Sequence, residues 1–260
     1  MNSGLRTPSP PPHVSIVLAT LNERANLPSV VDGIRSCLTV PYEIIIVDDG
    51  STDGTREYIQ AEAARDPRLR PLFHDGKQTT LRAQCQGIAE ARGAYIVVMD
   101  ADLQHPPSLI PGLLRALDSG AYLAIASRYA FGGDPGPRTF SRILLSRGAE
   151  LAAKLVLPSA RGVTDPVSGY FAFRTEAWIP LNPLYRGYKL LLFVLEMTER
   201  SRRTEVGFRF EPRPEGKSKL TQGTAFIRLF LVELLLARRL RSVTRQRSTL
   251  GERVKTPAGP

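Results

Sequence analysis

Short apolar runs rich in branched residues recur along the first half of this chain, each closed by polar turn formers and followed by a helical segment. Val14–Ala19, Tyr42–Val47, Leu69–Phe73, Tyr95–Met99 and Leu123–Ser127 predict strands. Leu27–Leu38, a segment ending about Arg65, Leu81–Ala91 and Pro107–Ser119 predict the helices between them. Strands alternating with helices in this way predict a parallel sheet covered on both faces, with ligands outside the carboxyl ends of the strands. Asp48, Asp49, Asp100 and Asp102 all fall at such ends.

After Arg128 the alternation loosens. A Gly/Pro loop from Phe131 to Pro137 precedes a helix from Phe140 to about Leu157, a loop carrying Asp165 and a short strand near Tyr170–Arg174. A helix near Lys189–Arg200, a strand near Glu205–Phe210 and a last helix from about Gly223 to Arg241 complete the pattern. That last helix is strongly apolar but interrupted by Arg228 and Glu233 before a basic end, which suits a helix lying in a membrane interface. A core or dimer helix has the same composition. Met1–Pro12 is polar and Pro-rich and reads as a disordered arm, not a signal peptide. No stretch approaches the roughly 20 apolar residues that span a bilayer.

The 260 residues are 42% hydrophobic, enough for one large domain. A formal net charge of +10, concentrated after Ala237, calls for anionic partners. Nucleic acid is not expected, because there is no zinc-finger spacing, no RNP-like aromatic pattern and only 7% aromatic residues. Phosphate-bearing lipids and nucleotides fit that charge. Cys37 and Cys85 form neither a disulfide framework nor a metal cluster and read as packing residues in a reducing compartment. No Ser-His-Asp or Cys-His nucleophile arrangement is present.

Asp100-Ala101-Asp102 follows an apolar strand directly. Two carboxylates at alternate positions can converge on one divalent cation and a diphosphate, since Mg²⁺ and Mn²⁺ take hard oxygen ligands and share them with substrate phosphates. A polar strand-end turn has the same composition. Asp48 and Asp49 are expected to end the neighbouring strand, where they can hydrogen-bond a base or ribose. The run from Asp48 to Gly54 is also a good helix-capping turn. Together the two sites favour a nucleotide pocket.

The chain resembles the inverting glycosyltransferases of family 2, with the GT-A fold, and among them the dolichyl- or polyprenyl-phosphate mannose synthases. The strings that carry the resemblance are Thr20-Leu-Asn-Glu23, Val47-Asp-Asp-Gly-Ser-Thr-Asp53, Val98-Met-Asp-Ala-Asp-Leu-Gln-His-Pro-Pro107, Ala126-Ser-Arg-Tyr129, Asp165-Pro-Val-Ser-Gly-Tyr-Phe171 and Gly216-Lys-Ser-Lys-Leu220. The resemblance implies a GT-A domain over residues 13–221, a Rossmann-like mostly parallel sheet with helices on both faces. An amphipathic membrane-facing helix over 222–241 and a basic flexible tail over 242–260 would follow.

It further implies that Ala19, Thr20, Leu21, Glu23, Val47, Asp48, Asp49 and Ala101 border the nucleotide sugar. Asp100, Asp102 and Gln104 would gather the metal, Mg²⁺ or Mn²⁺, and the donor diphosphate. Arg128, Lys189, Arg213 and Lys219 would meet phosphates, with Arg138, Arg142 and Ser146 on the acceptor side and Asp165 organising the site. His105 reads as a turn element.

The implied reaction moves mannose from GDP-mannose to dolichyl or polyprenyl phosphate with inversion, at the cytoplasmic face of a membrane, with a membrane-anchoring subunit as a further partner. A phosphomonoester with a second pKa of about 6 is already largely anionic at neutral pH, so the acceptor needs no strong base. Two departures from the family pattern stand out. Leu21 replaces a ring that borders the nucleotide, and the loop from Gly76 to Ala83 lacks the usual Lys-x-Gly-Leu-Gly-x-Ala string. They keep open a polyprenyl-phosphate glucosyltransferase using UDP-glucose or another family 2 glycosyltransferase; a noncatalytic nucleotide-binding membrane adaptor is the rival reading of another class.

Overall fold

Tyr42–Asp48 (β2) is buried at every position, so its stable place is the middle of a sheet covered on both sides. The computed structural model describes residues 12–76, 78–137, 140–211 and 227–241, with the side chains of residues 140–142 outside that description. β2 pairs in parallel with β1 (Val14–Thr20) on one side and β3 (Leu69–Phe73) on the other, and β1 pairs in parallel with β4 (Tyr95–Asp100). With β5 (Leu123–Ser127), β6 (Phe171–Arg174) and β7 (Arg203–Gly207) they form one seven-stranded sheet in the order β3-β2-β1-β4-β6-β5-β7.

Alternate residues of the strands feed two cores. Ile16 and Leu18 pack with α1 (Leu27–Cys37), α2 (Thr55–Arg65) and α4 (Ile110–Asp118). Val17, Ile96 and Val98 pack on the other face with α3 (Thr80–Ala89), α5 (Phe140–Val156), α6 (Leu190–Met197) and a helix over 227–241 (α7). α4 shows the reason: Ile110, Leu113, Leu114 and Leu117 recur at helical spacing and are all buried, each contributing roughly 1.5–3 kcal/mol. α3 lies unusually close to the sheet, since a Cβ on Gly87 would stand 2.5 Å from Val17 Cγ1.

The sheet is mostly parallel, as expected, with one departure. β5 does not join the parallel series beside β4; β6 lies between them, antiparallel to both. The chain leaves β5 at Arg128, runs through α5 and the Asp165 loop, and re-enters the sheet at the same end, where Phe171 stands opposite Ile125. β6 fits there because Phe171 and Phe173 enter one core and Ala172 the other. The last strand comes slightly earlier than expected, and residues 208–210 instead pass beside Asp134 through a bridge to Arg209.

α7 turns apolar residues both inward and outward. Phe230, Leu234 and Ala237 are buried, and so is Glu233, whereas Ile227, Leu231, Val232 and Leu235 are outward. The interrupting acid is therefore on the inner face. The arm before Pro12, the boundary at 221/222 and the tail after Arg241 lie outside the described residues.

Candidate active site

Strand register brings the expected nucleotide residues to one edge. Ala19 stands opposite Val47 on one side and Asp100 on the other, and Thr20 stands opposite Asp48. β1 thus separates β2 from β4, so Asp48 and Asp49 do not end the strand next to Asp100. At two strand spacings they stand about 10 Å away, a separation suited to the two ends of an extended ligand.

On the β2 side the carboxylates are held inside the protein. Asp48, fully buried, accepts hydrogen bonds from the Ser51 amide (3.2 Å) and the Ser51 hydroxyl, with Arg56 Nε 3.5 Å away. Asp49 Oδ1 accepts from the Gln78 amide (2.9 Å) and lies 3.1 Å from His74 Nδ1. Glu23 accepts from Asn26 Nδ2 at 2.8 Å, and its own amide donates to Thr55 Oγ1 at 3.0 Å. Asn22, at φ 51°, accepts from the Thr52 amide. The Thr20–Asn26 and Asp48–Thr55 turns are therefore stitched into one wall, with half-buried Leu21 beside it. The sequence reading gave His74 no role; its position just past β3, at the same edge, was the available signal.

The Asp-Ala-Asp turn closes on a buried histidine. His105 Nδ1 accepts from the Asp100 amide at 3.0 Å, so the ring proton sits on Nε2 and the 3.6 Å approach to Asp100 Oδ2 is not an ion pair. Burial lowers the His105 pKa, which keeps the ring neutral. The ring stacks on Tyr170, whose hydroxyl donates to the Pro106 carbonyl (3.0 Å). The turn residue Leu103 adopts φ 63°, a left-handed conformation that leucine rarely takes. Asp102 is buried and accepts from the Gln104 amide, while Asp100 keeps 43% of its side chain exposed. Gln104 Nε2 donates to the Glu211 carbonyl.

Beyond β4, Arg128 grips Asp165 in a two-pronged ion pair, Nε to Oδ2 at 2.7 Å and Nη2 to Oδ1 at 2.8 Å. Burial alone would lower the Arg128 pKa, but the pairing with Asp165 more than offsets it and holds the guanidinium charged. Glu205 on β7 fixes the turn before it by accepting from the Thr164 amide and hydroxyl. Lys189, half-buried ahead of α6, donates from Nζ to the Val167 carbonyl at 2.9 Å. Burial and the Arg128 charge push its pKa down, against the pull of Asp100, Asp165 and Glu233. On α5, the Ser146 hydroxyl donates to Glu150, and Arg147 lies over the Tyr129 ring at 4.3 Å. Arg138, Arg213, Lys219 and the side chain of Arg142 lie outside the described residues.

The sequence profile described as Glycosyl transferase family 2 matches residues 15–178. The chain belongs to glycosyl transferase family 2. It is 40% identical over 216 residues to the dolichol-phosphate mannosyltransferase of Pyrococcus furiosus, covering 82% of this chain and 60% of that one. It is 33% identical to the polyprenol monophosphomannose synthase of Mycolicibacterium smegmatis, covering 83% of each. The fold is that of the GT-A members: glucosyl-3-phosphoglycerate synthase from Mycobacterium tuberculosis, solved with Mn²⁺, UDP-glucose and phosphoglyceric acid, superposes with a TM-score of 0.66 at 23% identity, over 87% of this chain and 80% of that one. The chain therefore spans about 60% of the length of the archaeal relative.

Proposed function

We propose that this chain transfers mannose from GDP-mannose to a dolichyl or polyprenyl phosphate, with inversion, at the cytoplasmic face of a membrane. The observation that carries the reading is the register of β2, β1 and β4, which sets the Asp48–Asp49 wall and the exposed Asp100 carboxylate along one edge, with Lys189 and the Arg128–Asp165 pair beyond it. The two mannosyltransferase relatives supply the substrate class.

Asp100 and Asp102 suit a hard divalent cation, because Asp100 is open to solvent and carboxylate oxygens are hard ligands. Mg²⁺ commonly binds through one or two carboxylates together with substrate phosphates. Gln104 is the third residue of that set, through its Oε1. Bound there, Mg²⁺ or Mn²⁺ would offset the charge that gathers on the departing diphosphate. The Thr20–Glu23 and Asp48–Asp49 walls orient the nucleoside, and Ala19, Val47 and Ala101 border it.

Lys189 and the remaining Nη1 edge of Arg128 draw the donor and acceptor phosphates together, and Asp165 keeps Arg128 in place. Arg138, Arg142, Ser146, Arg213 and Lys219 are assigned to the same phosphates on motif position. The lipid phosphate attacks the anomeric carbon as the bond to the nucleotide diphosphate breaks, so the configuration inverts. Residues 13–221 carry this chemistry. The helix within 222–241 faces the membrane, alone or through an anchoring subunit, and the tail over 242–260 adds positive charge.

Radiolabelled GDP-mannose and UDP-glucose, each offered with Mg²⁺ or Mn²⁺ and a short polyprenyl phosphate, test the reading. Label from GDP-mannose is expected in the organic phase. Label from UDP-glucose alone points to the glucosyltransferase that the Leu21 departure keeps in view, and no transfer from either donor points to an adaptor. Asp102→Ala is expected to lower turnover about a hundredfold or more with the fold retained by circular dichroism.

A further inference from the structure

Glu233 lies on the inner face of α7 with no exposure to solvent. Its Oε1 accepts two backbone hydrogen bonds, from the Tyr188 amide at 2.5 Å and the Lys189 amide at 2.8 Å. Its Oε2 has no hydrogen-bond partner among the described residues. Burial pushes the carboxyl up to about 7 despite those two donors and the Lys189 charge. A buried acid with one unsatisfied oxygen destabilises a fold, and an apolar side chain would pack the same space better. Its place therefore asks for a reason other than packing.

The segment it holds is a strap. Gly187 accepts from the Leu81 amide at the start of α3 and donates to Thr79 Oγ1, Lys189 precedes α6, and its Nζ reaches the Val167 carbonyl in the Asp165–Gly169 turn. A Cβ on Gly187 would overlap Glu233 Oε1, so the strap lies flush on the carboxylate. Lys189 interacts electrostatically with Asp100, Asp165 and Glu233.

We propose that Glu233 is a positioning residue: from α7 it clamps the Tyr188 and Lys189 amides, and so sets the Lys189 ammonium against the Asp165–Gly169 turn beside Asp100. The phosphate-binding cation is then in place only when α7 is docked. This rests on the reading of Lys189 as a phosphate-binding residue. It assigns α7 an inward task, separate from whatever its outer face meets.

The test uses the full chain with Glu233→Ala, Glu233→Gln, Gly187→Ala, the Gly187→Ala/Glu233→Ala pair and Lys189→Ala, with kcat/KM and thermal midpoint measured for each. Glu233→Ala is expected to lower kcat/KM about tenfold or more. Glu233→Gln, whose Oε1 can accept from the same amides, should restore most of it. Gly187→Ala, which displaces the carboxylate without removing it, should cost a similar factor alone and little more in the Glu233→Ala background. Parental kcat/KM in Glu233→Ala, no rescue by glutamine, or an indifferent Gly187→Ala would each overturn the clamp. Full turnover in Lys189→Ala would instead overturn the reading of Lys189 itself; loss there with parental Glu233→Ala would sink only the clamp.

Discussion

Gly169 is a glycine because Asp100 and His105 fill the space in front of it: a Cβ there would lie 3.1 Å from Asp100 Oδ2 and 3.2 Å from His105 Cε1. Neither neighbour yields easily, since the histidine is stacked on Tyr170 and hydrogen-bonded to the turn that carries Asp100. Gly169→Ala is therefore expected to shift the Asp100 carboxylate by a few tenths of an ångström and lower turnover roughly tenfold, with only a small change in thermal midpoint. Parental turnover would show that the carboxylate has room to move. The Asp-Ala-Asp string was legible in the sequence, because two acids directly after an apolar run mark a strand end. What His105 and Gly169 do was not, because His105 stacks on Tyr170 and Gly169 faces Asp100 and His105, all more than sixty residues away in the chain. Arg128 shows the same limit: its charge is evident from the sequence, but its pairing with buried Asp165 is not. Removing one member of such a pair commonly costs roughly 3–5 kcal/mol.

At the scale of elements, two helices on the same face of the sheet expose apolar stripes. α5 presents Leu144, Leu151 and Leu155 at helical spacing, and α7 presents Ile227, Leu231 and Leu235. Exposed apolar stripes of this kind suit the interfacial role proposed above. Among the described residues no helix is long and apolar enough to cross a membrane. Replacing Leu231 and Leu235 together with Ser is expected to weaken binding to anionic lipid vesicles about tenfold, measured by co-sedimentation. Turnover with a short, water-soluble acceptor should stay near the parent value. Undiminished vesicle binding would assign the stripes to a protein partner. The existence of α7 and its apolar character could be read from composition. Which face turned inward could not, because Glu233 looks like a surface charge until Tyr188 and Lys189 are brought beneath it.

For the whole molecule, Glu233 also predicts how stability depends on pH. Below the ordinary glutamate range both folded and unfolded chains hold its proton, whereas from there up to about 7 only the folded chain does. Folding takes up a proton in that window, so the contribution of this group to stability falls as pH rises through it, by up to on the order of 3 kcal/mol. His105 works in the opposite sense, since burial keeps it neutral while the unfolded ring still charges. The quantity to measure is therefore the difference in unfolding free energy between the parent and Glu233→Gln, by urea titration at pH 5 and pH 8. It should shift against the parent at the higher pH, and a difference independent of pH would mean that Glu233 is already ionised throughout.

Local sequence determined the alternation of strands and helices, the carboxylates at strand ends and the family strings, because periodicity, turn chemistry and propensity act over a few residues. Only the tertiary structure decided that β1 stands between the two acidic strand ends, that β6 enters antiparallel between β4 and β5, and that a helix near the far end of the chain clamps Lys189. Those outcomes depend on which buried surfaces and charges find each other across long stretches of chain, and no window of neighbouring residues contains both partners.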